Sequence, residues 1–113
     1  MAWAEARNNG GMIHVIATIE IVPGQRAAFI EAFRKNVPLV LAEDGCLEYG
    51  PAVDLPTGLP PQIPVREQVV TVVEKWRDLP ALRAHLVAPH MVAYREVVKD
   101  LVRGVTLQVL EPA

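Results

Sequence analysis

The sequence predicts an α+β fold of the ferredoxin-like type, βαββαβ, in which helices cover one face of an antiparallel sheet. Three observations predict it. Apolar residues alternate along Met12–Val22, they recur at helical spacing from Phe29 to Val40, and β-branched residues crowd into Val65–Trp76.

In the first strand Ile13, Val15, Ala17, Ile19 and Ile21 alternate with His14, Ile16, Thr18, Glu20 and Val22. One face is wholly apolar and the other mixed, so both are expected to be covered. Pro23-Gly24 ends the strand. From about Gln25, Phe29, Phe33, Val37 and Val40 form a helical stripe, supported by Ala27, Ala28 and Ala32. Pro38 is expected to kink this helix or end its first part, and Asp44-Gly45 closes the segment.

Cys46–Leu55 reads as the second strand and Val65–Trp76 contains the third. Between them four prolines in Pro56–Pro64 rule out a central strand and predict an extended hairpin arm suited to gripping a partner. Asp78 is placed to cap the next helix, with Pro80 in its first turn. Leu79, Leu82 and Leu86 mark its expected buried face. Pro89 interrupts it, and a second helical segment runs to about Val102 with Tyr94, Val97, Val98 and Leu101 on one side. Val105–Leu110 is the last strand. The uncovered face of such a sheet is most simply buried against a second copy of the chain, which predicts a homodimer.

At 113 residues the chain fits one domain, read as 12–113 after a flexible tail at 1–11. That tail lacks the apolar core of a signal peptide. Composition is 51% hydrophobic and 21% charged with a net charge of -2, a balance unlike that of a nucleic-acid binder. No apolar run approaches the roughly 18 residues of a membrane span. The single cysteine, Cys46, excludes a disulfide framework or a cysteine zinc site within one chain and suits a reducing, cytoplasmic setting.

Chemistry concentrates between Val72 and Met91. Glu74 and Trp76, two apart on a strand, share a face. His85 and His90 follow, either of which could accept a proton near neutral pH. On an unbroken helix they would stand about 140° apart, so no metal site is expected unless Pro89 makes them converge. Tyr94 shares a helix face with His90, and Tyr94 and Tyr49 offer hydroxyls that could orient a phenolic ligand. His14 falls on the mixed face of the first strand, facing either the cavity or the dimer interface. No GxGxxG, phosphate-loop or GxSxG pattern occurs, so no built-in cofactor is expected.

Gly45-Cys46-Leu47-Glu48-Tyr49 resembles the G-C-L-x-Y opening of the second strand in the antibiotic biosynthesis monooxygenase family. Glu74-Lys75-Trp76 resembles its E-x-W, and His85 with Pro89-His90-Met91 resembles the paired histidines that follow. The resemblance implies a dimeric α+β barrel with a pocket between the helices and sheet of each chain. Its quinol monooxygenase branch implies direct reaction of a bound quinol or small aromatic anion with dioxygen, without metal or flavin. Carried over, His85 or His90 is the base. Trp76, Tyr49, Glu74, Met91, Tyr94 and His14 are the substrate-binding candidates. The long proline-rich arm departs from the family's short hairpin. Ala17 stands near the asparagine used by haem-degrading relatives, which counts against haem degradation. An isomerase or detoxifying enzyme acting on a small carbonyl compound, and a non-catalytic dimeric binding protein, are the alternatives.

Overall fold

The computed structural model describes residues 11–113, so the expected tail falls, except for Gly11, outside the described residues. The elements are β1 (Ile13–Ile21), α1 (Arg26–Leu41), β2 (Cys46–Ala52), β3 (Val69–Trp76), α2 (Leu79–Leu86), α3 (Pro89–Val98) and β4 (Val102–Leu110). The strands form one antiparallel sheet in the order β2-β3-β1-β4. This is the predicted ferredoxin-like arrangement, with its second helix split into α2 and α3.

Strand alternation decides what the helices cover. Val15, Ala17 and Ile19 stand opposite Glu74, Val72 and Val70 of β3 and opposite Val109, Leu107 and Val105 of β4. Directly opposed residues share a face, so these three rows make the floor beneath the helices. Phe29, Phe33 and Val40 of α1, Leu82 of α2, and Met91 and Val98 of α3 close over the β1–β3 part of that floor. The β4 row stays open, with Val105, Leu107 and Val109 exposed.

Several boundaries differ from expectation. The second strand stops at Ala52, and the third starts at Val69 because Glu67-Gln68 forms a turn. The last strand starts at Val102, and the preceding helix ends at Val98. Pairing with Ile21 and Glu20 carries the ladder across Arg103-Gly104, with a shift of register between Glu20 and Ile21. Pro38 neither ends nor divides α1, which runs on to Leu41; the proline lies in its last stretch, and the Ala42 N–H donates to the Pro38 carbonyl at 3.2 Å.

The buried face of α2 is Ala81, Leu82 and His85, whereas Leu79 and Leu86 remain 40% and 37% exposed. Gly45 explains this rotation. It has φ +85°, and a Cβ built there would lie 2.6 Å from the Ala81 Cβ. The glycine therefore lets α2 seat through Ala81 against the entry of β2. The Arg77 N–H donates to the Gly45 carbonyl at 2.8 Å, and Asp78 caps α2 through the Ala81 N–H at 2.9 Å. On α3, Val98 is buried but Val97 faces outward.

The proline-rich arm braces itself. Asp54 accepts from the Arg66 backbone N–H, Nε and Nη2 at 2.9, 2.8 and 2.9 Å. These bonds hold the Asp54 carboxyl down to about 2. Gln62 donates to the Leu55 carbonyl at 2.6 Å and accepts from the Thr57 backbone N–H and hydroxyl. Leu55, Leu59 and Ile63 are left exposed on this braced arm.

Replacing Gly45 by alanine is expected to combine left-handed strain with the Ala81 clash and to cost at least about 2 kcal/mol. Urea unfolding at unchanged m-value measures it; a loss of less than about 0.5 kcal/mol would show that the approach of α2 to Gly45 is not required.

Candidate active site between the helices and the sheet

The last turn of the pleat in β3 puts Glu74 and Trp76 under the helices. Trp76 has no exposed surface, and its indole Nε1–H donates to Glu74 Oε1 at 2.9 Å. Glu74 is itself 6% exposed. Burial pushes its carboxyl up to about 7; the indole bond opposes this and the charge of Glu43 adds to it. Both protonation states are therefore accessible near neutral pH, as acid–base work requires.

Helix α2 lays His85 over the indole, with ring centroids 4.6 Å apart, and Tyr49 meets the imidazole edge-on at 5.4 Å. His85 Nδ1 lies 2.8 Å from Glu43 Oε2. Burial lowers the pKa of this imidazole, against the raising effect of Glu43, so the ring favours its neutral form. With Nδ1 committed to the carboxylate, Nε2 is the nitrogen left to meet a ligand.

The helix break at Val87-Ala88 starts α3 in a new direction, and His90 Nε2 reaches the same Glu43 Oε2 at 2.7 Å. The two rings therefore converge, on a carboxylate. Among the described residues no group of three His, Cys, Asp or Glu side chains is placed to hold a metal ion.

A cavity of about 430 Å³ opens beside this group, lined by Phe33, Tyr49, Glu74, His85, Met91 and Tyr94, with Leu107 of the open β4 row at its edge. That volume suits a small ring compound. Phe33 and Tyr49 stack at 5.3 Å, and Tyr94 meets Phe33 edge-on at 5.8 Å. Burial raises both tyrosine pKa values above the ordinary phenol range, so both hydroxyls stay protonated and can donate to an oxyanion. Arg95, also at the cavity, is anchored by donating to the Leu86 carbonyl at 2.7 Å. Cys46 is no nucleophile here: burial, with Glu43 and Glu74, pushes its thiol to about 11.

Of the residues singled out by sequence, Tyr49, Glu74, His85, Met91 and Tyr94 meet around the cavity. Trp76 does not form its wall; it stands behind Glu74 and His85 and fixes both. His90 lies beyond Glu43, lining a groove between α1 and α3. His14 pairs with Lys75 and Leu110 on the other face of the sheet and does not reach the cavity. Two contributors went unread. Glu43 looks like part of a polar Glu43-Asp44-Gly45 turn, and only the need of two histidines for an acceptor hints at it. Asn36, buried on α1, donates its Nδ2–H to Met91 Sδ at 3.3 Å and so positions the thioether.

Residues 12–97 match the family model described as antibiotic biosynthesis monooxygenase. The chain is 42% identical over 103 residues to "Probable quinol monooxygenase YgiN" of Escherichia coli K12, covering 89% of this chain and 98% of that protein. Among solved structures it is similar to PA3566 from Pseudomonas aeruginosa, with TM-score 0.75, 26% identity and coverage of 91% and 95% of the two chains. Rv0793 from Mycobacterium tuberculosis gives TM-score 0.74, 27% identity and coverage of 91% and 96%.

The raised Glu74 carboxyl has a consequence for stability. Its ordinary value is 4.5 and folding lifts it to about 7. The contribution is most favourable below 4.5, declines as pH rises toward 7, and is level above. The decline is on the order of 3 kcal/mol. Glu74→Gln keeps an acceptor for the indole and removes the titration. The variant is expected to gain stability relative to the parent between about pH 5 and about pH 8 in urea unfolding. A difference that does not change with pH would refute the buried carboxyl as its source.

Proposed function

The chain belongs to the antibiotic biosynthesis monooxygenase family, and on that premise we propose that it oxidises a small quinol or aromatic substrate with dioxygen, without a cofactor. One observation carries the reading: a neutral imidazole, His85, and a near-neutral carboxyl, Glu74, face a single aromatic-lined cavity. The similarity to a protein named as a quinol monooxygenase supports the substrate class.

In this reading a quinol packs between Phe33, Tyr49 and Tyr94. His85 Nε2 takes a proton from one hydroxyl, and the tyrosine hydroxyls stabilise the resulting oxyanion. The anion is electron-rich enough to reduce dioxygen directly. Quinol plus dioxygen gives hydroxyquinone plus water; the substrate supplies all four electrons, one oxygen atom enters the ring and the other leaves as water. Glu74, within the same cavity, is the second proton carrier. Its place beside Trp76 keeps it buried and aimed at the ring.

A homodimer belongs to the same reading. Among the described residues no helix covers the sheet face that carries Ile16, Thr18, Thr71 and Val73, and the Thr71 hydroxyl is buried there with no partner among them. A second copy packed sheet against sheet would cover this face, and the exposed leucines of the braced arm would add to the contact. Among the described residues no helix is long and apolar enough to cross a membrane. A cytoplasmic setting is proposed from the lone, partly buried Cys46.

Anaerobic mixing with hydroquinone or naphthohydroquinone, followed by admission of air, is expected to give enzyme-dependent uptake of one dioxygen per quinol. His85→Ala is expected to slow it at least about 100-fold. Silence over a broad quinol panel would sink the oxygenase, and turnover that persists without oxygen would favour the isomerase on a small carbonyl compound. Sedimentation at micromolar concentration is expected to give the mass of two chains; a stable single chain would remove the dimer.

A further inference from the structure

Glu43 joins two histidines that belong to different surfaces. His85 lines the cavity, and His90 lines the outer groove between α1 and α3, together with Asn36, Ala93 and Val97. Both rings meet one oxygen, Glu43 Oε2, at 2.8 and 2.7 Å. Side-chain exposure rises along the row from 2% at His85 to 12% at Glu43 and 23% at His90. With a substrate in the cavity, a proton taken by His85 has no direct way to water.

We infer that Glu43 and His90 form a proton path that carries the proton from His85 through the helical layer to the outer groove. The inference rests on the reading of His85 as the cavity's base. As the substrate O–H breaks, its proton bonds to His85 Nε2. The Nδ1–H proton passes to Glu43 Oε2, and the proton that Oε2 shares with His90 passes to Nε2 of that ring. A proton then leaves the remaining ring nitrogen of His90 to water. One proton moves from substrate to solvent and no electrons change hands. The arrangement separates two traffics: substrate and oxygen use the cavity at the open β4 row, and protons leave on the opposite side of α3. Around His85 the other charged or titratable groups are Tyr49, Tyr94, Arg95 and, below the ring, Glu74. Of these, Tyr94 also lines the outer groove, but burial keeps its hydroxyl protonated, and Glu43 is the group that bonds both histidines. Glu43 and His90 are positioning and relay residues in this scheme; neither touches substrate.

His90→Gln is the discriminating variant. Its amide can keep the hydrogen bond to Glu43, so a purely structural role survives, but an amide does not pass protons. With naphthohydroquinone as probe, kcat is expected to fall at least about tenfold while KM stays within about twofold. Added imidazole is expected to restore the rate by replacing the lost ring in the groove. Glu43→Gln is expected to lose a similar factor without rescue, because the interruption is buried. A His90→Gln enzyme that is as fast as the parent, or slow and indifferent to imidazole, overturns the path. A second arm needs no substrate: exchange of the His85 Nδ1–H with water, followed by NMR, is expected to slow at least about tenfold in His90→Gln. Unchanged or faster exchange also overturns it. If no quinol is oxidised, the proposed activity falls and the exchange measurement alone decides the path.

Discussion

A carboxyl buried in an apolar layer is the constraint on which this molecule turns. Glu74 sits under the helices, where an unpaired charge would be costly, and the indole of Trp76 is its hydrogen-bond partner. That one bond fixes the indole at the end of β3. The indole in turn supplies the surface against which His85 packs, the two rings tilted by 39°, and His85 holds Glu43 from within. The site is thus assembled as a stack from the sheet outward, each member fixed by the one beneath it. Trp76, a substrate-binding candidate by resemblance, lies beneath the polar groups with no exposed surface and supports them.

The second constraint is steric. Helix α2 has eight residues and contributes little buried area of its own, so its orientation depends on where it can approach most closely. The glycine at 45 gives it that place, and the Ala81 contact turns His85 inward. The same turn carries Glu43 two residues earlier, so the backbone that admits α2 also delivers the carboxylate that α2 and α3 share. The helix break at Val87-Ala88 completes the convergence by freeing His90 from the helical phase of His85. Of the polar group only Glu43 comes from a chain reversal; Glu74, His85 and His90 stand on β3, α2 and α3, so the acid–base group is built mostly on regular elements and joined by one turn residue.

How much of this was legible follows from range. The period-two alternation of β1 and the Phe29–Val40 stripe reflect contacts within an element, so the order of strands and helices along the chain, the helical layer and the face shared by Glu74 and Trp76 could be read directly. Tyr49, Met91 and Tyr94 were reachable because their elements and motif spacing were. The errors cluster where a neighbour overrules local pattern. Pro38 is tolerated late in α1, Ile21 draws β4 back to Val102, and Leu79 and Leu86 yield the buried face of α2 to Ala81 and His85.

By itself the sequence determined the α+β class, the order of the strands and helices along the chain and the small set of side chains able to do acid–base chemistry, because these depend on periodicity and residue type. Only the tertiary structure decided which of them meet. Glu43 and His85 are 42 positions apart, and Glu43 and His90 are 47. No local pattern encodes such a pairing, because it arises when a turn, a short helix and a helix start from separate parts of the chain are packed over one tryptophan.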